Sequence, residues 1–219
     1  MKFFSYESKF SQLLLKLCYA CYLNLLWFLC SIPIFTMGAA TTALYYSCLK
    51  LIRDEEGHMA ATFFRAFREN FKRSTLAWLI ELAVLAVFSL DAAVFRAIRL
   101  SGGAMGKLYW AALLLEAVAL TWTAYVAAYA ARVNGTVGDI LRYGLVLLRL
   151  HPIRALGVML PILAGLALCL LVPFTVLFAP AAVCWACSYS LEQVFRLHMQ
   201  PEDLEKEAEQ DAIDQKNNF

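Results

Sequence analysis

Between Leu13 and Ile32 the chain carries a single charged residue, Lys16, and is otherwise almost wholly apolar. A run of about 20 apolar residues is what a helix needs to cross the hydrocarbon core of a bilayer. Comparable runs follow at Ser74 to Phe95, Leu108 to Ala131 and Ile153 to Leu177, with shorter ones at Gly38 to Ile52 and Ala181 to Phe195. In lipid every backbone polar group must find its partner inside the protein, so such runs are read as helices. The expected fold class is therefore all-α. It is a polytopic membrane bundle of six transmembrane helices, or five if one short helix stops partway. Composition agrees, with 62% hydrophobic and 16% charged residues, against about 45–50% and about 25% in soluble domains. The lipid bilayer is the first partner this implies, and the net charge of +2 holds no basic domain suited to nucleic acid.

Lys2 and Lys9 precede the first run in the order of a secretory signal. The run is long for a signal core, contains Asn24 and is followed by no small-x-small cleavage site, so it is read as a retained first span. Orientation follows from Lys and Arg, which are held on the cytoplasmic side. With six crossings and the amino terminus inside, only Arg96, Arg99 and Lys107 of the 19 Lys and Arg fall outside. The expectation is a multi-pass plasma-membrane protein with both termini cytoplasmic. Residues 1–200 form the membrane domain, and 201–219, rich in Glu and Asp, form an acidic cytoplasmic tail.

Two inner stretches are amphipathic. In Met59 to Arg73, Phe63, Phe64, Phe67 and Phe71 recur at helical spacing, with Arg65, Arg68 and Lys72 on the other side. Phe64, Phe67 and Phe71 with Arg65, Arg68 and Lys72 thus make a candidate interface helix. It could lie among the headgroups, pack on the bundle or dock a partner. The second stretch runs from the polar turn Arg132 to Gly135 up to Arg149, before the break His151-Pro152. A unit of helix, surface helix, helix is thereby used twice, and Gly38-Ala39-Ala40 is echoed by Pro180-Ala181-Ala182.

Glu81 and Glu116 lie within spans, about 10 Å and about 12 Å from the nearer ends at 1.5 Å per residue. Ionisable groups at that depth mark either an ion site or polar cavity, or a hydrogen bond to a neighbouring helix. Asn24 is a candidate partner in the same polar site. Cys18/Cys21 and Cys184/Cys187 have metal-site spacing but sit in apolar helices, where Cys acts as a small hydrophobe. The histidines His58, His151 and His198 are scattered, and no nucleophile–base or phosphate-loop motif occurs. No catalytic residue, metal or cofactor is therefore expected.

The stretch Asn24-Leu-Leu-Trp27, then Pro33-Ile-Phe-Thr36-Met-Gly38-Ala-Ala-Thr41-Thr42-Ala43-Leu-Tyr45, resembles the YesL-like family of bacterial membrane proteins. The likeness continues through Arg53, Glu56-Gly57 and Phe64-Arg-Ala-Phe67-Arg-Glu-Asn70-Phe71-Lys72 to Trp78. It implies an integral membrane domain of unknown function, found largely in Gram-positive bacteria, whose genes often lie near those for carbohydrate uptake. Physically, Pro33 and Gly38 let the chain reverse, while Thr36, Thr41 and Thr42 satisfy freed backbone groups and Asn24 bonds that turn. The expected function is a non-enzymatic protein accessory or regulatory to carbohydrate uptake, partnered by sugar-transporter membrane components. The alternative is a small transporter or channel using intramembrane carboxylates.

Overall fold

The computed structural model describes residues 9–52, 59–133 and 135–197. The polar turn after Ile52 and the acidic stretch 201–219 lie outside the described residues. Seven α-helices follow one another there: α1 (Lys9–Ser31), α2 (Met37–Ile52), α3 (Met59–Leu100), α4 (Leu108–Arg132), α5 (Val137–Leu150), α6 (Pro152–Leu171) and α7 (Ala179–Arg196). Four of them, α1, α3, α4 and α6, are long and apolar enough to cross a membrane.

The distribution of side chains is that of a protein bathed in lipid. Alanine is the commonest buried apolar residue, whereas leucines such as Leu90, Leu160, Leu170 and Leu171 point outward. Without a hydrophobic drive between helices, close backbone approach through small residues holds a bundle together. An outer leucine face then costs nothing, because lipid is as apolar as the core.

Helix α2 is the axis of the bundle. From Met37 to Leu51 it has no exposed residue, and it packs on α1, α3, α4 and α7. At 1.5 Å per residue its 16 residues span about 24 Å, short of the apolar core of about 30 Å. Its small residues explain its place. Ala39, Ala40, Ala43 and Ser47 are all buried, which lets four helices approach it. On one side Leu44, Cys48 and Leu51 join Leu23 and Leu26 of α1 with Met59 and Phe63 of α3. On the other, Tyr45 joins Tyr125, Val158, Leu191 and Phe195.

Two expected boundaries move. The amphipathic stretch and the third span are one unbroken 42-residue helix, α3. No Gly or Pro occurs between Met59 and Leu100 to interrupt it. At about 63 Å it is about twice as long as a bilayer core is thick. Its Phe63 is fully buried against α1 and α2 and Phe67 packs beside it, while Phe64 is 42% exposed. The second boundary is the end of α6, which stops at Leu171 rather than Leu177. Val172 adopts an extended backbone before Pro173, and a 3-10 turn, Pro173–Leu177, leads into α7. The chain therefore makes the same local shape at each end: a long helix, a 3-10 turn beside a proline, and a shorter helix packed on its counterpart. The first of these turns is Ile34–Thr36 after Pro33.

Helix α5 starts at a capping box, in which Thr136 accepts from the Asp139 N–H and the Asp139 side chain accepts from the Thr136 N–H. The hydrogen bonds from Thr136, side chain first and then backbone, hold the Asp139 carboxyl below the usual carboxylate range. Ile140, Gly144 and Leu147 bury its inner face, with Arg142 and Arg149 outside. It ends at His151, ahead of Pro152 at the start of α6.

Candidate functional site

A partly open cavity of about 240 Å³ lies in the bundle, walled by α1, α2, α3, α4, α6 and α7. Its wall on α3 consists of Ser74, Ala77, Trp78 and Glu81, spaced so that they share one helix face. Thr41, Thr42 and Tyr45 face it from α2, Thr123 and Ala127 from α4, and Cys184 and Cys187 from α7. Most of the remaining wall is aliphatic.

Glu81 is 3% exposed, and its Oε1 has no hydrogen-bond partner among the described residues. The nearby hydroxyls are already committed. Thr41 donates to Met37 O at 2.8 Å and accepts from Trp27 Nε1 at 3.1 Å. Thr42 Oγ1 lies 3.0 Å from Gly38 O and 3.2 Å from Ser74 Oγ. Thr123 donates to Leu120 O at 2.8 Å. A buried polar atom without a partner carries its full desolvation penalty, on the order of 1–3 kcal/mol or more. Glu81 is the one place in the cavity wall where a ligand would relieve such a cost.

Glu116 is elsewhere. Its carboxylate accepts from Ser89 Oγ of α3 at 2.7 Å, on the outward part of the α3–α4 contact. It does not line the cavity, so the two carboxylates picked out together do not form one site. Asn24 is also diverted. It does not bond the turn at Pro33 but the equivalent turn before α7: Oδ1 accepts from Ala181 N–H at 2.9 Å, and Nδ2 donates to Leu177 O. The correction has a physical reason, since Pro33's turn is closed locally by Thr36, whose hydroxyl reaches Cys30 O at 2.6 Å and Pro33 O at 2.7 Å. Asn24→Leu is expected to orphan one N–H and one C=O. The cost is about 2–4 kcal/mol, read as a melting temperature lower by roughly 4–16 °C in detergent. An unchanged melting temperature would mean that Asn24 does not join α1 to α7.

The hairpin residues are mutually braced. Trp78 Nε1 donates to Ile34 O at 2.9 Å, and a Cβ on Gly38 would lie 2.3 Å from Trp78 Cβ. Of the candidate interface residues, Arg68 and Lys72 are exposed, Arg65 and Phe71 are half-buried, and Phe67 stacks on Phe63. Two polar groupings escaped the sequence reading. Arg73, oriented by Asn70, reaches Ala130 O at 3.0 Å and Val133 O at 3.2 Å, satisfying the carbonyl end of α4. Arg132 pairs with Glu192 of α7 and lies over the Phe195 ring, 4.8 Å from its centre. The only trace of the second grouping in sequence is Glu192 four residues before Arg196, with which it also pairs at 2.7 Å.

The cavity draws on both parts of the chain: its walls on α1, α2 and α3 fall in the part that known sequences match, and its walls on α4, α6 and α7 lie beyond it. Residues 20–92 match the family described as "Protein of unknown function, DUF624". The matched segment takes in α1 from Ala20, all of α2 and α3 as far as Ala92, and so includes Asn24, Gly38, Thr42, Trp78 and Glu81. No curated protein and no solved structure matches the chain.

Proposed function

We propose that this is a non-enzymatic, multi-pass protein of the plasma membrane that works as a small transporter, with the Glu81 cavity as its ligand site. One observation carries the reading: a carboxyl oxygen buried without a partner among the described residues, in the wall of a cavity within a membrane bundle. Intramembrane carboxylates are costly, and those that face a cavity mark ion or substrate paths. In this reading six helices cross, with α2 shielded from lipid by its neighbours and α7 completing the set. Both termini are then cytoplasmic, and the α3–α4 hairpin with Arg96, Arg99 and Lys107 is outside. Arg99 stacks on Trp110 there, 4.8 Å from the ring centre, an arrangement suited to the headgroup region.

Alternating access tests the proposal without knowledge of the cargo. Cys184 and Cys187 line the cavity. In a variant with the other cysteines replaced, a membrane-impermeant maleimide is expected to label them from either face, in right-side-out and in inverted vesicles. Labelling confined to one face, or absent from both, would sink the transporter reading. A second reading, a regulatory subunit for carbohydrate uptake, is favoured by Phe64, Arg68 and Lys72 exposed along the inner part of α3. The YesL-like resemblance points the same way, and co-purification of a sugar permease would support it.

A further inference from the structure

The cavity wall has a chemical bias that narrows its ligand. Among the residues lining it, Glu81 is the sole carboxylate, and no Lys, Arg or His is present. Trp27, Tyr45 and Trp78 line the same space, together with Leu44, Leu120, Val126 and Ile162. We infer that the cavity binds a small organic cation of the arylalkylammonium class, with Glu81 as its counter-ion and the aromatic and aliphatic wall around its body. The inference rests on the cavity being a ligand site, but not on transport through it.

Each alternative class meets an obstacle in the wall. A sugar presents many hydroxyls, each needing a polar partner once buried. Here the threonine hydroxyls already donate to helix carbonyls or, for Thr42, also lie against Ser74 Oγ. A bare inorganic cation wants about six oxygen ligands gathered round it, whereas this wall spreads one carboxylate and the hydroxyls of Thr41, Thr42, Tyr45, Ser74 and Thr123 over three helices amid carbon. An anion would meet Glu81 with no basic residue to offset it. Arg132 stands behind Tyr45, whose hydroxyl it approaches at 3.4 Å, but its charge is met by Glu192. An ammonium group, by contrast, needs one charged partner and gains from nearby aromatic faces. Its hydrocarbon part replaces nothing but poorly hydrated apolar surface. At about 30 Å³ per water, the volume of about 240 Å³ has room for roughly eight or more non-hydrogen atoms. Phenylethylammonium is of that size.

Titration calorimetry on the full chain in lipid nanodiscs, near neutral pH, separates the possibilities. The probes are phenylethylammonium, its neutral counterpart 2-phenylethanol and the anion 3-phenylpropanoate. The cation is expected to bind at one site at least about tenfold more tightly than the alcohol, as a charge-assisted hydrogen bond implies. The anion is expected not to bind. In Glu81→Gln the preference for the cation should vanish, while binding of the alcohol persists and shows that the variant is folded. Equal binding of cation and alcohol to the unaltered protein would overturn the inference, leaving only an apolar cavity. So would a cation preference that survives Glu81→Gln, or failure of all three probes to bind. Tight cation binding by a protein whose cysteines label from one face only would uphold the inference while removing the transporter reading.

Discussion

Gly38→Ala is expected to lower the melting temperature of the detergent-solubilised protein by about 6–12 °C. The figure takes an overpacking cost of ~3 kcal/mol and a sensitivity of ~2–4 °C per kcal/mol for a chain of this size. The added Cβ would stand 2.3 Å from Trp78 Cβ and 2.7 Å from Ser74 O. Neither neighbour can swing aside, because one is the root of a side chain and the other is backbone. Trp78 is further pinned by its hydrogen bond to Ile34 O. Helix α2 cannot retreat either, since α1, α4 and α7 enclose its other sides. Gly138→Ala on α5 is the matched control. Its Cβ would meet nothing nearer than Thr136 Oγ1 at 3.9 Å, so the better helix propensity of Ala should leave stability equal or higher by about 0.5–1 kcal/mol. If Gly38→Ala melts with the unaltered protein, the close contact of α2 with α3 does not exist.

That contact shows what a sequence of this kind reveals and what it withholds. The apolar runs disclose the helical membrane class because their length is set by the bilayer, a constraint that acts on each segment alone. Glu81 was legible as an anomaly for the same reason, a carboxyl where the solvent is hydrocarbon. Its separation from Glu116 was not legible. Which face of α4 meets α3 depends on crossing geometry, and in this bundle it sends Glu116 to Ser89 rather than to the cavity. Asn24 illustrates the same limit. Its burial could be expected, but its partner is 157 residues away at Ala181, and two similar proline turns competed for it. The continuity of α3 was open to reading, since no helix breaker interrupts it. The change of charge at Arg73 looked like a boundary only because a membrane edge and a helix end leave the same mark in composition. The enclosed position of α2 was written in Gly38, Ala39, Ala40, Ala43 and Ser47. Small residues declare close packing without saying against what.

Removing either partner of the Arg132–Glu192 pair is expected to cost about 3–5 kcal/mol, among the largest single-residue effects in the chain. The Arg132 side chain is 2% exposed and that of Glu192 15%, so each is charged where water cannot compensate for a lost partner. Arg132→Ala takes the buried guanidinium from the Glu192 carboxylate beside Tyr45, while the exposed Arg196 stays paired with it. Glu192→Ala takes the carboxylate from a guanidinium held between the rings of Phe195 and Tyr45, which lie 4.8 Å and 5.9 Å from it. The double variant Arg132→Met with Glu192→Leu removes both charges and refills the volume. Buried pairs replaced in that way are often neutral in stability, so the double variant should melt at a higher temperature than either single one. In the cycle of Arg132→Met, Glu192→Leu and the double variant, the double's loss should fall short of the sum of the two single losses by about 2 kcal/mol, within the range found for neighbours that share one interaction. Additive losses would mean that the two residues act separately. Because the pair ties the C-terminal end of α4 to α7, and Tyr45 of the cavity wall leans on Arg132, the same variants bear on the site. The double variant should keep the cation preference assigned to Glu81, since the charge that sets that preference lies on α3 and not on this pair. Loss of the preference in a stably folded double variant would place the counter-ion at Glu192 instead.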